Sequence, residues 1–155
     1  MPELSRRVQT FTDSVIRRMT RISDEVDAIN LSQGFPDFPP PKAITDRLRE
    51  VADEGPHQYS VTFGAENFRE ALARKQGRAY GREINPDTEI LVTCGGTEAM
   101  MSAMMTVCNP GDKVIVFSPF YENYGADAIL SGADPIFVPL VPPTFDFDRN
   151  VLEDA

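Results

Sequence analysis

The segment Glu89–Met105, EILVTCGGTEAMMSAMM, decides the fold class of this chain. Residues 89–94 form a short, mostly apolar run that predicts a buried strand, and residues 98–107 predict a helix that is apolar on nearly every side. Gly95 and Gly96 lie between them and allow the backbone to turn tightly from strand to helix. The segment therefore predicts one strand-to-helix unit of an α/β fold.

The same alternation continues towards the carboxyl end of the chain. Residues 113–117 and 135–140 predict two further strands, and residues 121–131 predict the helix between them. Such β-α-β-α-β order indicates a mainly parallel sheet with crossover helices, which is part of a three-layer α/β/α fold. Three strands make a thin parallel sheet, so we expect the domain to be incomplete at residue 155.

Helices and loops are predicted before this alternation begins. The apolar spacing favours helices over residues 12–26, 42–54 and 66–80, whereas the four prolines of residues 30–41 indicate an extended, stiff loop. We therefore divide the chain into an N-terminal helix and loop segment, residues 1–41, and the first part of a larger α/β domain, residues 42–155.

Charge and cysteine content exclude several classes of protein. The formal net charge is −9, with 24 acidic against 15 basic side chains, and such a field repels the phosphate backbone of nucleic acids. Neither a signal peptide nor a run of about 20 apolar residues is found, so no membrane association is expected. Cys94 and Cys108 fit no metal-binding or disulfide pattern. We expect a reduced, cytoplasmic setting and no metal site.

The turn at residues 95–98 has the features of a phosphate site. A helix that begins there presents unpaired N–H groups, including those of Gly96 and Thr97, and the positive end of its dipole. The segment matches neither the dinucleotide fingerprint nor a P-loop. The residues alone leave an alternative equally open, which is a simple strand-to-helix turn with Thr97 as the N-cap.

A second candidate lies at the end of the next predicted strand, in VIVFSPFYENY, residues 114–124. Pro119 ends the strand and Tyr121 follows it. Ligands of open α/β sheets bind beyond the carboxyl ends of the strands, so the ring of Tyr121 could lie flat against a ligand ring. The alternative is a half-buried aromatic side chain that covers the sheet.

Four segments in this order resemble one known family. They are NLSQGFPDFPPP at residues 30–41, HQYSVTFG at residues 57–64, and the two segments described above. Together they resemble the fold-type I pyridoxal-phosphate-dependent aminotransferases of class I and II. The resemblance is strongest to the branch that includes kynurenine, methionine and bacterial-type aspartate aminotransferases, and it covers essentially the whole chain.

The resemblance implies a role for each matching residue. The backbone N–H groups of Gly96 and Thr97 would hold the phosphate of pyridoxal 5′-phosphate, and Tyr121 would stack on its pyridine ring. Gly34 would meet the substrate carboxylate through its backbone. Tyr59 would reach the cofactor phosphate of a neighbouring subunit, which implies a homodimer. Residues 42–155 would be the first part of the cofactor-binding large domain.

The lysine that forms the Schiff base with the cofactor in this family is absent from the chain. Only Lys42, Lys75 and Lys113 are present, and none matches its position. We therefore expect the N-terminal part of an aminotransferase that acts on an amino acid and a 2-oxo acid, with no catalytic residue and no activity of its own. Two alternatives stay open, namely a carbon-sulfur lyase of the same fold and a non-catalytic binding or assembly module.

Overall fold

A computed structural model describes residues 3–55, 57–59 and 61–155. A short 3₁₀ helix at Arg6–Val8 precedes the main elements. The helices are α1 Val15–Glu25, α2 Lys42–Glu54, α3 Glu66–Tyr80, α4 Gly96–Val107, α5 Asn123–Leu130 and α6 Arg149–Asp154. The strands are β1 Lys113–Ser118, β2 Asp134–Val141 and β3 Asp146–Phe147. Each helix predicted from the apolar spacing is present, with bounds that differ by a few residues at most.

The chain forms two compact units. The first unit contains the residues up to Arg18 together with Thr93–Ala155, and the second contains Met19–Val92. The first unit therefore holds the whole sheet with helices α4, α5 and α6, and the second holds α2 and α3.

The sheet of the first unit contains one parallel and one antiparallel pair. β1 runs parallel to β2, from Lys113 opposite Asp134 to Ser118 opposite Pro139. β3 pairs antiparallel with the end of β2. The predicted order of a strand, a crossover helix and a parallel strand is confirmed for β1, α5 and β2.

The strand predicted at residues 89–94 is wrong. These residues form no strand, and none of their backbone hydrogen bonds is part of a ladder with another strand; the N–H of Val92, for example, donates to the carbonyl of Phe63. A strand exists only where a neighbouring strand completes its ladder of hydrogen bonds. Residues 89–94 have the side chains of a buried strand, but no described strand lies beside them.

Local residues fix one end of each of two helices. Gly81 adopts the left-handed conformation that closes α3, with φ +65° and ψ +25°. Asp148 caps α6, because its carboxylate accepts a hydrogen bond from the N–H of Asn150 at 2.8 Å.

The core of the first unit lies between α5 and the two parallel strands. Val116 on β1 and Val138 on β2 are buried there, together with Ala128 on α5. Helix α5 packs against β2 at Gly125, where an added Cβ atom would lie in van der Waals contact with the ring of Phe137, at 3.4 Å.

Arg69 holds together one corner of the second unit. Its side chain is almost fully buried and donates hydrogen bonds to the carbonyls of Gly64 and Pro86 and to the carboxylate of Asp87, at 3.0, 2.6 and 2.7 Å. These contacts tie the start of α3 to the loop that follows it. The bond between Val92 and Phe63 closes the same corner.

Asp127 on α5 is buried without a compensating partner. Only 3% of the residue is exposed, and its Oδ2 atom has no hydrogen-bond partner among the described residues. Burial disfavours the charged form and raises the pKa of this carboxyl above its ordinary value. At a pH between the ordinary and the raised pKa, Asp127 keeps its proton in the folded chain and has lost it in the unfolded chain. The free energy of unfolding therefore falls as the pH rises through this window.

We expect Asp127→Asn to stabilise the protein by about 1 kcal/mol at pH 7, because the amide removes a buried charge. Urea unfolding between pH 4 and pH 8 measures the effect. The advantage of the variant should shrink at low pH, where Asp127 is itself protonated. Asp53→Asn, on the exposed part of α2, is the control and should change the free energy of unfolding little at either pH. A variant advantage that is constant across the range would contradict the role of the charge.

Candidate functional site

The start of α4 presents backbone donors to open space. Gly95 is the N-cap residue with φ +91°, a conformation that favours glycine, and the first backbone bond of the helix runs from the N–H of Ala99 to the carbonyl of Gly95. Among the residues that the structure describes, the N–H groups of Gly96, Thr97 and Glu98 therefore have no backbone acceptor. Cβ atoms added at Gly95 or Gly96 would meet no other residue within 4 Å. The alternative in which Thr97 is the N-cap is wrong, since Gly95 holds that position.

The carboxylate of Glu98 is hydrogen-bonded to the backbone of Cys94, the residue before the glycine turn. It accepts a hydrogen bond from the N–H of Cys94, so it is engaged outside the helix. The N–H groups of Gly96 and Thr97 have no side-chain acceptor among the described residues. Two donors at this helix start are thus available to an anion.

The aromatic turn, residues 119–124, follows the carboxyl end of β1. The N–H of Tyr124 donates to the carbonyl of Tyr121 at 3.0 Å, and the two rings meet edge to face with their centroids 5.9 Å apart. About half of Tyr121 is exposed, at 52%. Part of its side chain is therefore accessible to a ligand.

One side-chain contact joins the turn before α4 to the aromatic turn. The side-chain amide of Asn123 donates a hydrogen bond of 2.7 Å to the hydroxyl oxygen of Thr97. Asn123 lies two residues after Tyr121 and begins α5. The structure therefore brings together Gly96, Thr97 and Tyr121, three of the five residues that the sequence singles out.

Gly34 and Tyr59 lie in the other compact unit. Gly34 is exposed in the loop between α1 and α2, and a Cβ atom there would have no other residue within 4 Å. Tyr59 is almost fully exposed and has a positive φ of +46°. Among the described residues, neither position has a partner that would define a ligand, and their roles stay predictions. Ser60, which follows Tyr59, lies outside the described residues.

Each compact unit contains a groove among its described residues. One has a volume of about 510 Å³ and is lined by β1, by Met100 and Met104 of α4, and by Tyr121 and Tyr124. A larger groove, of about 650 Å³, runs along α3 in the second unit and contains none of the predicted site residues. Size does not decide between these two, because the smaller groove adjoins the aromatic turn and the larger one does not.

Residues 26–155 match the family of class I and II aminotransferases. The chain belongs to this family. It is 38% identical over 135 residues to methionine aminotransferase of Escherichia coli, an alignment that covers 87% of this chain and 35% of that enzyme. It is 34% identical to a probable N-succinyldiaminopimelate aminotransferase of Mycobacterium tuberculosis, over 96% of this chain and 38% of that protein.

Solved aminotransferase structures have the same fold. The methionine aminotransferase of Escherichia coli superposes with a TM-score of 0.89 at 34% identity, over 99% of this chain and 40% of that one. Aspartate aminotransferase of Thermus thermophilus superposes with a TM-score of 0.88 at 30% identity, over 100% of this chain and 42% of that one. This aminotransferase chain thus has the family fold, as predicted, and it spans well under half the length of the relatives that it matches.

Two features are absent from the residues of this aminotransferase chain that the structure describes. No group of three or more histidine, cysteine or acidic side chains is placed to hold a metal ion there. No helix in the same ranges is long and apolar enough to cross a membrane.

Sequence reasoning missed Asn123. The residue lies between a predicted strand and a helix. Polar residues without a functional role are common at such positions, so its place in the sequence gives no signal. Nothing in the sequence indicates that its partner is Thr97, 26 positions earlier.

Proposed function

We propose that this chain is the N-terminal part of a pyridoxal-phosphate-dependent aminotransferase that moves an amino group between an amino acid and a 2-oxo acid. The observation that carries the proposal is the bond between Asn123 and Thr97, which unites the unpaired N–H groups at the start of α4 with the exposed ring of Tyr121. Membership of the aminotransferase family supplies the reaction class.

The residues present fit a phosphate joined to a flat ring. Gly96 and Thr97 offer two N–H donors in open space at the positive end of a helix, which suits a phosphate dianion. Tyr121 offers an accessible ring beyond the carboxyl end of β1. Pyridoxal 5′-phosphate, when bound, supplies an aldehyde that accepts an amino group and a ring that withdraws electrons. On this proposal the chain's own residues bind and orient it.

None of the three lysines is suited to bond to the cofactor in this site. Lys113 begins β1, whereas Tyr121 follows the other end of that six-residue strand, at a distance on the order of 17 Å along it. Lys42 begins α2 and Lys75 lies in α3, and on the resemblance neither matches the position of the family's lysine. We therefore propose that these residues provide the cofactor grip and that the reactive amine belongs to a part of the protein beyond this sequence.

The remaining elements of the proposal rest on the resemblance. Gly34 would meet the substrate carboxylate, and Tyr59 would reach the phosphate in a neighbouring subunit of a homodimer; the full exposure of Tyr59 is compatible with that role. The division at residues 41 and 42 stays a prediction. A cytoplasmic setting is proposed because Cys94 and Cys108 are both free thiols.

The direct test of the proposed function compares two ligands that differ by one phosphate. Pyridoxamine 5′-phosphate and pyridoxamine need no lysine, and their own fluorescence allows the anisotropy of each to be followed as the 155-residue chain is added. We expect the phosphate form to bind at least about 10-fold more tightly, since charge-assisted hydrogen bonds to the dianion are lost in pyridoxamine. Equal affinity for the two would contradict a phosphate site.

Replacing Tyr121 with alanine should weaken the binding of both ligands by at least about 5-fold, because an aromatic stack contributes about 1 kcal/mol beyond the area that it buries. The same anisotropy titration measures the loss. Tyr121→Phe keeps the ring and is the matched control, with an affinity expected within about 2-fold of the original. If Tyr121→Ala bound both ligands as well as the original chain, the ring would not be part of the site.

The 155-residue chain should neither transfer an amino group nor form a stoichiometric covalent adduct with pyridoxal 5′-phosphate, because no lysine lies at the proposed site. Incubation, borohydride reduction and mass spectrometry of tryptic peptides measure the adduct. Scattered, substoichiometric labelling of Lys42, Lys75 and Lys113 is expected. Complete labelling of one of them would overturn the assignment of the reactive amine to another part of the protein.

A further inference from the structure

The contact between Asn123 and Thr97 has a direction. The amide nitrogen of Asn123 donates, and the hydroxyl oxygen of Thr97 accepts, at 2.7 Å. A hydroxyl group has one hydrogen to donate and two lone pairs with which to accept. Because the amide NH₂ group of Asn123 cannot accept a hydrogen bond, the hydroxyl hydrogen of Thr97 must point away from it.

The hydroxyl hydrogen of Thr97 is not used elsewhere. Within the described ranges, this hydroxyl donates to no residue. The backbone N–H groups of Thr97 and Gly96 also have no acceptor among the described residues. With the hydroxyl they make three donors, on two adjacent residues, that no described residue engages. The side chain of Asn123 makes no other hydrogen bond to a described residue. Among the described residues, the hydrogen bond to Thr97 is therefore the only one that the side chain of Asn123 makes.

We infer that Asn123 is a positioning residue that turns the hydroxyl of Thr97 towards the ligand as a third donor to a phosphate monoester dianion. The inference rests on the proposed function and adds to it a residue that touches neither the phosphate nor the ring. Asn123 also holds the start of α4 beside the aromatic turn, so the donors and the ring of Tyr121 face one ligand.

The test uses the 155-residue chain with pyridoxamine 5′-phosphate and pyridoxamine as probes. Asn123→Ala is expected to weaken the phosphate form by about 10-fold and pyridoxamine by less than about 2-fold, because only the dianion uses the oriented hydroxyl. Thr97→Val removes the hydroxyl and should cause a similar loss. The double variant should bind no more weakly than Thr97→Val alone, since both changes remove one interaction. Asn150→Ala, in the first turn of α6, is the matched control and should bind as the original chain does.

A second readout separates positioning from a merely structural role. The ³¹P resonance of bound pyridoxamine 5′-phosphate reports the second ionisation of its phosphate, whose pKa is about 6 in free phosphate esters. Three donors favour the dianion, so the pKa of the bound phosphate should be lower in the original chain than in Asn123→Ala. Circular dichroism of each variant establishes that it is folded.

The outcomes distinguish failure of the inference from failure of the proposed function. If Asn123→Ala weakens the binding of both probes equally, or leaves the pKa of the bound phosphate unchanged, Asn123 does not position the hydroxyl and the inference is overturned. In that case, a preference of the original chain for pyridoxamine 5′-phosphate over pyridoxamine would still support the phosphate site. If the original chain binds both probes equally, the phosphate site is wrong and the inference falls with it.

Discussion

Gly64→Ala is expected to destabilise the second unit by about 3 kcal/mol, which combines the strain of a positive φ with a steric clash. Gly64 has φ +103°, and a Cβ atom there would lie 2.3 Å from Cγ2 of Val92. Val92 cannot retreat freely, because its N–H is bonded to the carbonyl of Phe63. Urea unfolding followed by circular dichroism measures the loss.

Gly81 provides the matched control for this substitution. It also has a positive φ, of +65°, but a Cβ atom there would meet no other residue within 4 Å. Gly81→Ala should therefore cost only about 1 kcal/mol, from backbone strain alone. If the two alanine variants were equally stable, the contact with Val92 would not be what excludes a side chain from position 64.

Arg69→Met should be nearly as damaging, with a loss of about 3 kcal/mol, because the carbonyls of Gly64 and Pro86 lose their charged donor. Methionine retains the apolar stem of the side chain, so the loss reports the hydrogen bonds rather than a cavity. Urea unfolding gives the free energy. Hydrogen exchange at the N–H of Val92, which closes the same corner, should accelerate in parallel.

Asp87→Asn tests the ion pair within that corner separately. The carboxylate side of the pair is 74% exposed, so screening by water limits its contribution to less than about 1 kcal/mol. We expect Asp87→Asn to unfold close to the original chain. An equal loss in Arg69→Met and Asp87→Asn would show that the carboxylate, and not the two carbonyls, is what Arg69 stabilises.

The sequence was sufficient to predict elements whose signals are local. The apolar spacing of residues 66–80 and the glycine that follows them specify a helix and its end, because both depend on residues within one or two turns. The strand expected at residues 89–94 failed for the opposite reason. Its side chains suit a buried strand, but strand formation depends on a neighbour that may lie anywhere in a chain, and no described residues supply one.

The same distinction applies to the candidate site. Gly96, Thr97 and Tyr121 could be chosen from local features, which are a glycine turn before a helix and an aromatic residue after a strand. Gly34 and Tyr59 were chosen from the resemblance alone, and no local chemistry specifies their ligands. Asn123 could not be predicted from the sequence, because its role depends on its hydrogen bond to Thr97. Only the packing of α4 near α5 brings these two side chains together.

The bond from Asn123 to Thr97 closes a loop of 26 residues that contains α4 and β1. Closing a loop of this length costs chain entropy that a single hydrogen bond does not recover, so the contact survives only while the enclosed elements remain packed. A peptide of the glycine turn alone would therefore lack the arrangement. By mass action, a ligand that requires this arrangement favours the folded form of the first unit, and the cofactor phosphate would contribute to the stability of the residues that bind it.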